Sequence, residues 1–238
     1  HGAMNRLVYD LKHTYSAQGV ALNAQTVLSI LPLFHGFGLA VNMHGSLCVG
    51  AQQVLMSQWD CNRAIHYMKK YKVTMLIGAP AMYWSLLKNG RFSGRQLPHL
   101  KTCFVGGEQA GIELKKAMRT RLDGTRLFEG YGMTETIATC CSTSPTYYKD
   151  DSVGKPVGTN EIRVWRDDTL LKKGEGELIV STNSMMLGYL KDDAATEKTF
   201  FDLDGRKWVR TGDCGRIDEE GYIYFEERLK RIIVRKGH

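Results

Sequence analysis

No apolar run in the sequence approaches the ~20 residues that a membrane-spanning helix needs. The stretch 73–80, among the longest, is far shorter and carries Thr74 inside it. No membrane span is therefore expected, and no signal-peptide pattern is visible. None of the six cysteines, Cys48, Cys61, Cys103, Cys140, Cys141 and Cys214, stands in a C-x-x-C pair. That argues against a zinc site and a disulfide framework, and leaves reduced thiols in a cytoplasmic protein as the simplest reading. Cys140 and Cys141 are neighbours, a spacing that rarely permits an ordinary disulfide, so they read as packing residues. Basic tracts of nucleic-acid type are also missing: the net charge is +7, but 32 lysines and arginines are interspersed with 25 acids. No nucleic-acid partner is expected; the charge reads first as a solvated basic surface, with which an anionic nucleotide or CoA is compatible. The sequence contains neither internal repeats nor low-complexity tracts.

Apolar content is plentiful. Of 238 residues, 43% are hydrophobic and 24% charged, enough for a packed core in one large domain or two small ones. Short apolar runs at 27–31, 53–56, 74–77, 102–105 and 126–128 alternate with amphipathic stretches, the mark of a sheet with helices on both faces. Asp60 caps a predicted helix over 61–71, Pro80 opens another that stops at Asn89-Gly90, and a third spans 112–122. Past about residue 145 the pattern changes to strands separated only by turn residues, at 162–165, 176–180, 207–210 and 215–218. Gly221 then supplies the turn of a hairpin returning over 222–225. The expected fold class is α/β: incomplete doubly wound α/β layers followed by a small β-barrel-like subdomain. Lys172 to Glu177 is basic and glycine-rich, but it lacks G-x-x-x-x-G-K-[ST] and precedes a strand, so it reads as a turn rather than a phosphate loop.

The sharpest chemical signal is Gly130-Tyr131-Gly132-Met133-Thr134-Glu135, directly after an apolar strand. Glycines at the end of a parallel strand let backbone approach a ligand, and open α/β sheets bind ligands at that edge. Tyrosine offers a flat face for a base, threonine a hydroxyl for a phosphate oxygen, and glutamate a hard oxygen for Mg²⁺. The bland alternative is a glycine-rich turn in which Thr134 caps a helix and Glu135 sits in its first turn.

Other segments agree with the nucleotide reading. Leu31, Pro32, His35 and Gly38 match L-P-x-x-H-x-x-G; Gly106, Gly107 and Glu108 form a glycine pair with an acid; Trp208, Thr211, Gly212 and Asp213 match W-x-x-T-G-D. Glu227-Arg228-Leu229-Lys230, with Gly237 beyond, is similar to a D-R-x-K hinge. In this order the segments resemble the AMP-forming acyl-CoA synthetases, the superfamily of acyl-CoA ligases, luciferases and peptide-synthetase adenylation domains. The resemblance implies that Gly106, Gly107 and Glu108 lie along an adenine and that Tyr131 packs on its ring beside Gly132. It implies Thr134 at the α-phosphate and Glu135 on Mg²⁺ as the catalytic pair. Asp213 and Arg228 would take the ribose diol, and Lys230 would be the hinge. ATP or AMP and Mg²⁺ are the implied cofactors, with CoA as co-substrate.

By the same resemblance His35, Gly130, Ile137 and Ala138 line a pocket for the carboxylic acid substrate. Adenylation domains usually place an aspartate just after the aromatic residue of the His35 segment, where it pairs with an α-amino group. Here that stretch reads Phe34-His35-Gly36-Phe37. An acid without an amino group, fatty or otherwise, is therefore expected. Such enzymes also carry a phosphate loop ending in P-K-G and a C-terminal lid with a catalytic lysine, neither recognisable here. The chain thus reads as a truncated core, inactive by itself, whose partner is the missing lid. The implied organisation is 1–58 as the remainder of a first α/β subdomain, 59–145 as a second bearing the signature loop, 146–227 as β-rich, and 228–238 as the hinge. Two alternatives stay open: a stand-alone nucleotide-binding module, and an adenylating enzyme with another acceptor such as a carrier-protein thiol or an oxidative reaction.

Overall fold

Residues 1–144 and 148–228 are described in the computed structural model. Helix α1 (Gly2–Ala17) offers Leu7, Leu11 and Tyr15 along one side, and a π-helical segment, Phe37–Gly45, runs on into the short α2 (Ser46–Cys48). Both pack on one face of a parallel sheet built from β1 (Thr26–Ser29), β2 (Gln52–Leu55), β3 (Met75–Gly78), β4 (Thr102–Val105) and β5 (Arg126–Tyr131), in the order 2-1-3-4-5. The opposite face is covered by α3 (Cys61–Lys70), α4 (Pro80–Leu87) and α5 (Ile112–Arg121). Successive side chains of a strand point to opposite faces. Leu76, Cys103 and Val105 accordingly meet Met68, Tyr83 and Leu114, while Met75, Ile77 and Phe104 meet Leu11, Tyr15 and Val41. Burying one such side chain fully contributes about 1.5–3 kcal/mol. The boundary signals hold: the Asp60 carboxylate accepts the Arg63 N–H at 2.6 Å, and Pro80 opens α4.

Beyond β5 the sheet turns antiparallel through β6 (Cys141–Ser142) and β7 (Lys155–Pro156). A second, antiparallel sheet comprises β8 (Glu161–Arg166), β9 (Thr169–Leu171), β10 (Gly174–Ser181), β11 (Phe200–Leu203), β12 (Arg206–Ile217) and β13 (Ile223–Arg228), in the order 11-12-10-8-9 with β13 beside β12. The two strands expected at 207–210 and 215–218 are in fact halves of the single strand β12. Its first half pairs with β11, its second with β13, and its other edge with β10 across a register shift. The turn at Gly221 forms as expected, with φ +80°. Lys172 and Lys173 turn the chain between β9 and β10. One helix, α6 (Asp193–Thr199), was not anticipated. It buries no residue, so it writes no apolar period into the sequence, and it is held by the Asp192 side chain accepting the Ala195 N–H at 2.9 Å. No described helix is long and apolar enough to cross a membrane.

The two sheets meet around β5 and β6. Cys140 and Cys141 are fully buried among Val153, Ile162 and Leu178, with Tyr131 and Phe225 packed on the rim of that cluster.

Candidate functional site

In a parallel sheet with this strand order the direction of winding reverses between β1 and β3, and ligands sit outside the carboxyl ends of the strands near such a point. The segment 31–38 leaves β1 on that edge, Gly106 and Gly107 leave β4, and Gly130 and Tyr131 end β5. A Cβ on Gly106 would stand 3.0 Å from the Phe37 ring and 3.5 Å from the Gly130 carbonyl, so these three positions adjoin. A Cβ on Gly130 would meet the Phe104 ring at 2.6 Å. Glycine is required at both because aromatic rings occupy the space. Gly107 differs: its φ is +86° and nothing lies within 4 Å of a Cβ there, so the backbone borders open space.

Alternation along β5 splits the signature loop between two environments. Phe128 and Gly130 face the Phe104 side, whereas Glu129 and Tyr131 face the other. From Gly132 the chain doubles back: a Cβ there would lie 1.2 Å from the Ala138 carbonyl oxygen, Ala138 N–H donates to Met133 O at 2.9 Å, and Cys140 N–H to Tyr131 O at 2.8 Å. Thr134 to Thr136 make one 3-10 turn without a side-chain cap, not the start of a longer helix. Closure forces Ile137 and Ala138 to φ +54° and +89°. A β-branched residue in that region is strained by about 1–3 kcal/mol, and such strain concentrates at functional loops. Both side chains rest against the cluster containing Phe37, Phe104 and Phe128.

Tyr131 reaches the second sheet. Its hydroxyl donates to Asp213 Oδ2 at 2.6 Å, and Arg228 Nε lies 2.9 Å from Asp213 Oδ1. The W-x-x-T-G-D segment explains how an aspartate comes to point inward. Trp208 is buried; Thr211 Oγ1 donates to Leu178 O at 2.5 Å and accepts the Asp213 N–H at 3.0 Å; Gly212 takes φ +69° and donates its N–H to Glu177 Oε1 at 3.0 Å. Together they bulge β12 away from β10 and turn Asp213 into the junction. Asp213 is 1% exposed while Arg228, its register partner on β13, is 45% exposed, so the two are not a surface pair. Arg228 Nε pairs with Oδ1 as an ion, but that buried oxygen has no well-aligned hydrogen bond among the described residues, so its accepting capacity is only partly used. Burial raises the Asp213 carboxyl above its ordinary value, with Tyr131 and Arg228 opposing the rise. Burial, then Asp213, pushes the Tyr131 phenol well up, which keeps it a donor.

Of the remaining predicted residues, Thr134 and Glu108 are exposed and Glu135 is half-buried at the loop tip. His35 is exposed beyond β1, its Nδ1 accepting the Phe37 N–H at 3.2 Å. Lys230 lies outside the described residues. Two residues that sequence reasoning passed over also shape the site. The Glu129 carboxylate accepts the Ala110 N–H at 2.7 Å and sits 2.6 Å from Lys115 Nζ, both side chains being buried. This pair ties the glycine loop after β4 to the strand bearing Tyr131. The available signal was a lysine between Leu114 and Met118 on the buried side of α5. Burial raises the Glu129 pKa against the pull of Lys115.

Known proteins fit this geometry. Residues 1–190 match the family model described as AMP-binding enzyme. The chain is 31% identical over 219 residues to 4-coumarate-CoA ligase 1 of Narcissus pseudonarcissus, covering 89% of this chain and 40% of that protein. It is 30% identical over 242 residues to the long-chain-fatty-acid–CoA ligase of Bacillus subtilis (strain 168), covering 97% and 40%. The chain thus spans about 40% of the length of these relatives. Among solved structures, O-succinylbenzoate coenzyme A synthetase from Bacillus subtilis superposes with TM-score 0.82 in its complex with AMP, at 27% identity over 95% of this chain and 45% of that one. Its complex with ATP and magnesium ion gives TM-score 0.83, at 28% identity over 100% of this chain and 48% of that one. With most of the chain matched by one family model on a fold shared with nucleotide complexes, this protein belongs to the AMP-binding enzyme family.

Proposed function

We propose that this chain is the adenosine-binding core of an ATP-dependent, AMP-forming acid–CoA ligase. The observation that carries the reading is the buried Asp213 carboxylate at the junction of the sheets, held by the Tyr131 hydroxyl on Oδ2 and by the ion pair with half-exposed Arg228 on Oδ1, with no well-aligned hydrogen bond to Oδ1 among the described residues. A buried carboxylate keeps lone pairs beyond those that one phenol and one misaligned guanidinium engage, and vicinal ribose hydroxyls are donors suited to them. In this reading the adenine lies along Gly106, Gly107 and Glu108, where Gly107 leaves open space, with Tyr131 against its ring.

The metal fits as well. Among the described residues no group of three or more His, Cys, Asp or Glu side chains could hold a metal ion. Mg²⁺ bound through one carboxylate and substrate phosphates needs no such cage, and Glu135 is the half-buried carboxylate available. When bound there it would neutralise phosphate charge. Thr134 would hold the α-phosphate while the acid's carboxylate attacks it, pyrophosphate departs, and CoA thiolate then displaces AMP; the chain's share is positioning. His35, Gly130, Ile137 and Ala138 would border an acid without an amino group, since no carboxylate stands beside Phe34 or Phe37 to pair with one. Whether that acid is fatty or aromatic is the difference between the relatives' own substrates.

Calorimetric titration of the chain with AMP tests the core of this reading. Saturable binding is expected; its absence refutes the assignment. Thioester formation by the parent protein with CoA and a panel of acids tests the ligase assignment and names the acid.

A further inference from the structure

One group at the signature loop belongs to none of the roles above. The segment after β10 crosses over the loop tip and is fastened to it repeatedly. Buried Ser184 donates its hydroxyl to Thr136 O at 3.1 Å, and Met186 N–H donates to Glu135 O at 2.8 Å. At its end the Tyr189 hydroxyl donates to Glu135 Oε1 at 2.5 Å. Tyr189 is itself anchored from behind. Its N–H donates to Thr196 Oγ1 on α6 at 2.9 Å, and Gly188, at φ +156°, passes so close that a Cβ would meet the Thr196 side chain at 2.9 Å. The short capped helix α6 therefore holds the backbone that holds the tyrosine.

Among the described residues the Glu135 carboxylate has no other hydrogen-bond donor and no lysine, arginine or histidine within ion-pair distance. A single neutral donor fixes one oxygen and leaves the negative charge uncompensated. That is the arrangement of a carboxylate whose charge is met by a cation and whose orientation is set by a neighbour.

We propose that Tyr189 is a positioning residue for the divalent-cation site: by holding Oε1 it sets the orientation in which the Glu135 carboxylate would take a divalent cation that arrives with the nucleotide's phosphates. This rests on the nucleotide reading above. Outer-shell partners of metal ligands typically alter metal affinity 10–100-fold when removed.

The test uses this chain with magnesium, ATP and AMP. Calorimetry of ATP binding at a series of Mg²⁺ concentrations gives the concentration at which magnesium half-maximally strengthens binding. Y189F removes one oxygen from a side chain that is 36% exposed, and should fold as the wild type does. The half-effective Mg²⁺ concentration should rise about tenfold or more in Y189F, while AMP affinity measured in EDTA stays at the wild-type value. E135Q should abolish the magnesium effect altogether. An unchanged magnesium response in Y189F overturns the tyrosine's role, as does a parallel loss of AMP affinity in EDTA, which would mark a structural part only. A wild-type chain that binds neither nucleotide refutes the functional reading itself, a failure distinct from these.

Discussion

Asp213→Asn separates binding from stability at one buried position. The wild-type carboxylate is almost wholly buried, accepts one hydrogen bond from Tyr131, and has a close but poorly aimed arginine. Asparagine retains an acceptor for the Tyr131 hydroxyl while removing the charge that burial disfavours. The contact with half-exposed Arg228 is screened by water, so its loss is worth no more than about 1 kcal/mol. Unfolding free energy at neutral pH should therefore change by less than about 1 kcal/mol. Asp213→Ala instead strands a phenol hydroxyl and should cost about 1–3 kcal/mol. Ligand binding should respond differently: an asparagine cannot accept from both ribose hydroxyls as a charged carboxylate does, so AMP affinity should fall by about 1.5–3 kcal/mol, roughly 10- to 150-fold. Acidification adds a third readout. The folded carboxyl is raised above the ordinary value near 3.8, so the folded state takes up the proton first. The resulting stabilisation is fully present below the unfolded value and is lost as pH rises through the folded one. Wild type should thus gain stability relative to D213N as pH falls from 7 towards 4. Urea unfolding at several pH values, with calorimetry of AMP binding, measures all three. D213N as unstable as D213A, or binding AMP as the wild type does, would defeat the reasoning.

Gly132→Ala should cost more than about 2 kcal/mol in chemical denaturation, because its Cβ would collide with the Ala138 carbonyl at 1.2 Å; Gly107→Ala, at φ +86° in open space, should cost only about 1–2 kcal/mol. Lys115→Met leaves Glu129 buried and unpaired, and should lose about 3–5 kcal/mol, most of which the double variant K115M/E129Q recovers. Urea titration of the two against wild type checks this, and an additive double variant would contradict it. Under native conditions a thiol reagent should modify exposed Cys48 first and Cys61 and Cys214 more slowly, and reach Cys103, Cys140 and Cys141 only on unfolding, since burial pushes Cys103 and Cys140 up to about 12. Early labelling of Cys140 would mean that the junction between the sheets opens.

The amino-acid sequence by itself determined the parallel layers, because their signals are local. Apolar runs of strand length, the Asp60 cap and the Pro80 start each act within a few residues, and the bounds of each such element fall within three residues of their expected place. The hairpin at Gly221 was legible for the same reason. Tertiary structure alone decided that 207–210 and 215–218 form one strand, since this depends on what β10, β11 and β13 offer along its edges. It alone brought Tyr131, Asp213 and Arg228 together across more than eighty positions of chain, and buried a carboxylate between them. For the Glu129–Lys115 pair the sequence offered only a lysine on the apolar side of α5, with no sign of its partner, and for the Tyr189–Glu135 bond it offered nothing. A charged or hydroxyl side chain carries no mark in sequence of the partner it will meet, because that partner is set by how layers stack rather than by any spacing along the chain.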